Sequence, residues 1–356
     1  MNGKAVYPIA LLATAGLLCA QTLTDPVSEL SRRIAQGKSD LAFDSVYGYL
    51  PAVLKALNIP VESQMAVFSK TSGQALRIEP SRPRVIFFND AVTVGWVHGG
   101  FMELAAQDPK GGFAFFRLDQ RRAGPDAAGS PITRQQDCLH CHASGMLLRS
   151  VFTSADGVPV HGAPQYDTDY RTPFEKLWGG WYVTGHAGAA PHMGEGDLDS
   201  LDGTGDPRAR LTPYSDVVAL MVFEHQTRVM NLLARAPKEP AVLKELADAL
   251  LFAGEAPLKG EIAGTSGFTE VFAARGPRDS KGRSLRDVSL KGRLMRYPCS
   301  YMIYTEAFDA LPPDAKSAVY RRMWQLLSSG PATDRNAIVQ ILRETKPGLP
   351  GYFVVD

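Results

Sequence analysis

Val85-Ile-Phe-Phe88, Asn89-Asp90 and Val92-Thr-Val-Gly-Trp-Val97 follow one another along the chain and read as two strands joined by a turn. β-Branched and aromatic residues fill both runs, and Asn-Asp is turn chemistry. Towards the C-terminus, Phe101–Ala106 and Phe113–Leu118 flank Asp108-Pro-Lys-Gly-Gly112, a second hairpin signal. Towards the N-terminus, Met65-Ala-Val-Phe68 is a further run of the same kind. Residues 64–119 are therefore expected to form a small antiparallel sheet.

The flanks read differently. Over residues 26–58, Leu30, Ile34, Leu41, Phe43, Val46, Leu50, Val53, Leu54 and Leu57 recur at roughly helical spacing, with a break expected near Gly37 or Pro51. Residues 120–210 show little periodicity and are rich in Gly, Pro and Asp. They hold five of the seven histidines, which favours a functional segment over disorder. Helical patterning returns after Pro213, with Thr212 as the expected cap. Pro313–Leu327 reads as a helix ending near Gly330. Thr333 is expected to cap a last helix that runs to about Thr345 before Pro347. The pattern predicts an α+β fold: an N-terminal helical segment, a small antiparallel sheet, a loop-rich segment and a helical C-terminal third. The parts fall at 21–120, 121–210 and 211–356, within one integrated module.

The 356 residues carry 38 Lys+Arg against 37 Asp+Glu, a net charge of +1 that gives no field for non-specific nucleic-acid binding. No G-x-S-x-G, phosphate loop or dinucleotide fingerprint is present. Residues 1–20 pair one charge, Lys4, with the apolar run Ile9–Ala20, too short to span a bilayer. That is the layout of a cleavable signal peptide, with Ala20–Gln21 as the preferred bond although Leu18 departs from the small-x-small rule. Cys19 raises a lipoprotein alternative that Gly16-Leu17-Leu18 fits poorly. With no second long apolar run, the expectation is an exported, periplasmic protein without a membrane span.

Within the loop-rich segment, Cys138-Leu-His-Cys141-His142 is C-x-x-C-H, the attachment signal for c-type haem. Two thiols one turn apart suit the two vinyl groups on one porphyrin edge, and the next residue, His142, supplies an axial nitrogen. One haem c per chain is the implied cofactor, bound by Cys138, Cys141 and His142, and residues 121–210 become the haem segment. A Cys138–Cys141 disulfide is a rival reading. A zinc site is another, but it lacks a second Cys-x-x-Cys or His-x-x-His half. Arg134, Arg149 and Arg171 are candidate propionate partners or ordinary surface charges. Trp178-Gly-Gly-Trp181-Tyr182 provides flat apolar surface, suited to a core or to a porphyrin wall.

Phe88-Asn-Asp90, Val94-Gly-Trp-Val97, the C-x-x-C-H run, Pro173-Phe-Glu175, Trp178–Gly185, His192-Met-Gly194, Glu224-His-Gln226, Arg296–Tyr301 and Phe308–Pro312 together carry a resemblance. The chain resembles a largely uncharacterised family of exported bacterial monohaem c-type cytochrome-domain proteins. The likeness covers nearly the whole mature chain and implies haem binding without implying a substrate. Thr184-Gly-His-Ala-Gly188 sets His186 one position away from the histidine of that family's pattern.

The second axial position separates the possible functions. A six-coordinate haem moves electrons, whereas an open site reacts with small ligands. His192 is the foremost distal candidate, in a Gly-rich loop that can fold over a haem face. Met193 and His225 are the alternatives, His225 falling on the apolar stripe of Val218, Met221, Val222, Val229 and Leu232. His186 and His98 are weaker. The expected function is single-electron transfer in the bacterial envelope with redox partner proteins. A peroxidase-like oxidoreductase and a haem-based sensor are the alternatives. Asp197-x-Asp199-x-x-Asp202-Gly203 misses the calcium-loop spacing and reads as a solvated acidic loop. Cys299 reads as a buried, inert thiol.

Overall fold

The computed structural model describes residues 24–110, 112–122, 130–138, 142 and 145–355. The leader expected at 1–20, and His140 and Cys141 of the haem motif, lie outside the described residues.

Helix α1 (Pro26–Ala35) opens on Asp25, whose carboxylate accepts the N–H groups of Val27 and Ser28 at 3.0 and 2.9 Å. Gly37 adopts φ 67°, a left-handed conformation that ends the helix. Helix α2 (Leu50–Ala56) begins with Pro51 in its first turn. Between them Asp44 accepts the N–H groups of Val46 and Tyr47, an Asx turn that competes with helix. The helical reading of 26–58 is thus two short helices, with Leu41 and Phe43 packing from the connection.

Strands β1 (Met65–Val67), β2 (Arg84–Phe88), β3 (Val92–Trp96), β4 (Phe101–Asp108), β5 (Gly112–Asp119) and β6 (Ile132–Arg134) form a sheet in sequential order, each antiparallel to the next. Asn89 closes the β2–β3 turn by accepting the N–H groups of Ala91 and Val92. Strand β6 lies past residue 120, so the expected boundary falls inside the sheet.

Side chains alternate between two cores. Val85, Phe87, Val94, Trp96, Leu104, Phe116 and Leu118 face α1 and α2. Ile86, Phe88, Ala105 and Phe115 face the C-terminal helices. Both faces are covered, which is why all five residues of β3 are buried.

The second cover consists of α3 (Val217–Arg235), α4 (Val242–Leu250), α5 (Phe268–Ala274), α6 (Glu306–Asp309), α7 (Pro313–Ser329) and α8 (Ala332–Thr345). Phe223 of α3 meets Phe88 with centroids 4.8 Å apart, and Gln107 Nε2 of β4 donates to the Met230 carbonyl at 3.0 Å. The cap of α3 is Asp216 rather than Thr212. One carboxylate oxygen accepts the N–H groups of Val218 and Ala219, and the other accepts those of Thr265 and Ser266. Asp216 wins because its carboxylate serves two segments at once. Thr333 likewise lies inside α8, which starts after Pro331. Helix α7 ends at Gly330 and α8 at Thr345, as expected.

Between sheet and helices, β7 (Arg149–Val151) pairs with β8 (Gln165–Asp167), and β9 (Tyr182–Thr184) with β10 (Glu195–Leu198). The described part of 121–210 also holds β6 and two 3-10 turns, Phe174–Lys176 and Pro207–Ala209. The fold is α+β. Among the described residues no helix is long and apolar enough to cross a membrane.

Candidate functional site

The His142 N–H donates to the Cys138 carbonyl at 3.0 Å, closing a single α-turn. That turn sets a thiol and an imidazole at i and i+4, on one side of the backbone. Cys138 is half-buried against the large core. The His142 ring stacks on Phe115 of β5, with centroids 5.2 Å apart and planes 29° from parallel.

His142 Nδ1 lies 3.1 Å from the Gly145 carbonyl oxygen. A carbonyl only accepts, so this contact places the ring proton on Nδ1 and leaves the lone pair on Nε2. A histidine that ligates iron is commonly held in this way, with one nitrogen donating to protein and the other facing metal. The donor chemistry therefore fits a haem: a thiol, one turn, and an imidazole of fixed tautomer.

The three distal candidates have partners of their own. His192 Nδ1 accepts the Gly194 N–H at 3.1 Å, Nε2 sits 3.8 Å from Asp197 Oδ1, and the ring meets Trp178 edge-on. Burial pulls the pKa of this ring down. The Met193 sulfur accepts the Ser150 hydroxyl at 3.7 Å, while the same hydroxyl oxygen accepts the Gly179 N–H. His225 is fully buried in α3, flat on Phe252 at 3.9 Å, with Nε2 2.7 Å from Ser300 Oγ and Nδ1 without a partner. Burial pushes its pKa down to about 3.

From Met146 to Ser150 the side chains alternate between buried and exposed, the mark of extended chain. Such a run spans about 13 Å at about 3.3 Å per residue. Met193, seated on Ser150, is thus at the far end of that run from the Cys138–His142 turn. His186 is exposed, and His98 leans on Trp96.

Arg149 pairs with Asp167, and Arg171 with Asp169. Arg134 is exposed on β6, opposite Phe116. Trp178 and Trp181 belong to the helix-side core and Tyr182 to the other. Asp199 and Asp202 lie on the surface, as a solvated loop should. Cys299 is completely buried, and burial pushes its thiol up to about 12. Glu224, one residue before His225, is 2% exposed, and burial raises its carboxyl well above the usual range.

Phe115, Gly145 and Asn231 were not legible as site residues. Gly145 stood four residues past a thiol in a Gly-rich stretch, and Asn231 is 85 positions from the backbone it holds. No family model matches the chain, and neither does any curated protein or solved structure.

Proposed function

We propose that this chain is an exported c-type cytochrome, with one haem held by Cys138, Cys141 and His142, passing single electrons in the bacterial envelope. The observation that carries the reading is the His142 Nδ1 contact with the Gly145 carbonyl in a C-x-x-C-H turn. It leaves Nε2 as the donor atom, at the position where the motif requires an axial ligand. The bound haem would supply one reversible electron at its iron.

The chain's own residues do the rest. Phe115 supports one face of the imidazole and limits its rotation. The large core beside Cys138 keeps water from that flank, and lower polarity there raises the cost of adding charge.

A second reading, small-ligand binding at an open sixth position, has support of its own. The Met193 sulfur holds the Ser150 hydroxyl, a contact it would have to give up to ligate, and His225 is enclosed in α3, flat on Phe252.

Denaturing electrophoresis with haem staining tests the first reading. The wild-type protein, made with haem-attachment machinery, should stain, and the double variant Cys138→Ala, Cys141→Ala should not. Equal staining of the two, or an unstained wild type, overturns it.

A further inference from the structure

Asn231 projects from α3 towards the chain just after the attachment turn. Its Oδ1 accepts the Met146 N–H at 2.9 Å, and its Nδ2 donates to the Met146 carbonyl at 2.7 Å. The amide reads both polar groups of one backbone residue, which fixes its own orientation, since a flip would lose both bonds. Gly145, at φ 113°, lets it in: a β-carbon there would collide with Oδ1.

The Met146 N–H and the Gly145 carbonyl belong to the same planar peptide unit. On one side of that unit stands Asn231 Oδ1, and on the other His142 Nδ1. Holding the N–H therefore sets the plane in which the carbonyl meets the imidazole. Donating that N–H also polarises the peptide, making its carbonyl a stronger acceptor. A stronger Nδ1–H bond makes the imidazole more basic at Nε2.

We infer that Asn231 is a positioning residue for the axial histidine, acting through the Gly145–Met146 peptide to orient His142 and raise its donor strength. The inference rests on the haem reading above. A more basic imidazole favours the oxidised iron, so Asn231 holds the reduction potential down. Among the described residues the Asn231 amide bonds the Met146 backbone and not the His142 ring, so its effect runs through the backbone.

The test uses the haem-loaded protein and three variants. Asn231→Ala removes both contacts. Asn231→Asp keeps an oxygen for the Met146 N–H and, as the neutral acid that the neighbouring Met146 carbonyl favours, a hydroxyl donor in place of Nδ2. Gln107→Ala removes the bond from β4 to the carbonyl of Met230, next to Asn231 on the same helix, without touching the attachment turn. Two quantities are read: the midpoint potential, and solvent exchange of the His142 ring N–H by NMR in the reduced diamagnetic protein, with carbon monoxide added if the iron is high-spin.

Asn231→Ala should raise the potential and speed ring N–H exchange by about 10-fold or more, the scale at which partners of metal ligands act. Asn231→Asp should keep exchange within about threefold of wild type, because the acceptor remains. Gln107→Ala should lower thermal stability while leaving both quantities at wild-type values. Unchanged potential and exchange in Asn231→Ala, or an equal change in Gln107→Ala, overturns the inference. If Asn231→Ala does not fold, rapid ring exchange in folded Asn231→Asp does so. A wild-type chain without covalent haem defeats the parent reading instead.

Discussion

The terminal methyl of Met193 lies 2.8 Å from the point where a β-carbon would stand on Gly179. The same point is 2.6 Å from the Val151 carbonyl oxygen, which is backbone and has little room to move. Gly179→Ala should therefore push Met193 off Ser150 and strain β7, costing about 1–3 kcal/mol. Met193→Ala should restore part of that loss when the two are combined. Urea denaturation of the single and double variants measures it, and strictly additive losses would show that the two positions are not in contact.

His192, Met193 and His225 give a spectroscopic prediction. On the open-site reading, reduced wild-type protein should bind carbon monoxide, with a shifted Soret band. His192→Ala, Met193→Ala and His225→Ala should each leave the resting spectrum as it is in wild type. A change from low-spin to high-spin in any one of them identifies that residue as the sixth ligand and removes the support for an open site.

Glu224 gives a pH dependence. Its carboxyl stays protonated in the folded protein well above 4.5, the value at which it ionises when unfolded. The folded state then holds the extra proton. This stability is complete below pH 4.5 and declines by about 1.4 kcal/mol per pH unit until the folded pKa is passed. His225 acts in the opposite sense, its pKa falling from 6.5 to about 3, so its contribution is lost as pH falls below 6.5 and is constant above. Glu255, whose pKa burial pushes up to about 6, acts in the same sense as Glu224, so substitution separates the two. As pH rises from 4.5, wild type should lose thermal stability relative to Glu224→Gln. Parallel curves would refute the buried neutral acid.

Cys299 should be the one thiol of the processed, haem-loaded protein that a disulfide reagent can titrate, because attachment consumes Cys138 and Cys141. At zero exposure, with its pKa near 12, it should react only as the protein unfolds. The rate of colour formation with an aromatic disulfide should follow the unfolding rate in denaturant. Rapid reaction in native buffer would place the thiol at the surface.

Asp216→Ala should be among the costlier substitutions away from the Cys138–His142 turn. It removes acceptors from Val218, Ala219, Thr265 and Ser266 together, at a fully buried position. A loss of about 2–4 kcal/mol is expected from a cap plus stranded donors. Asp216→Asn should recover little, because its amide nitrogen would face donors on one side. A change in urea midpoint no larger than that of an ordinary surface cap would contradict the double role.

The strands and hairpins were readable because turn chemistry is local: Asn89 satisfies the N–H groups of Ala91 and Val92 within three residues. The Cys-x-x-Cys-His run is equally local, its turn closed by the His142 N–H on the Cys138 carbonyl. The cap of α3 was not, since Thr212 and Asp216 are both competent and the deciding partners, Thr265 and Ser266, are 49 and 50 residues away. Strand β6 was hidden by its brevity, three residues in a stretch of loop composition. The contacts of His192 and His225 depend on Asp197 of β10 and on distant Ser300, so spacing alone could rank them as ligands but could not show what else they touch.

The attachment turn leans on Phe115, made before it, and is held through Met146 by Asn231, made well after. On a nascent chain emerging N-terminus first, the Cys-x-x-Cys-His run is delivered long before its second support exists. If haem is attached as proposed, both sulfurs would be accessible during that interval, and closure of α3 over the sheet would end it. The order of emergence would then give attachment a time window, and a variant that folds α3 faster would be expected to leave more of the protein without haem.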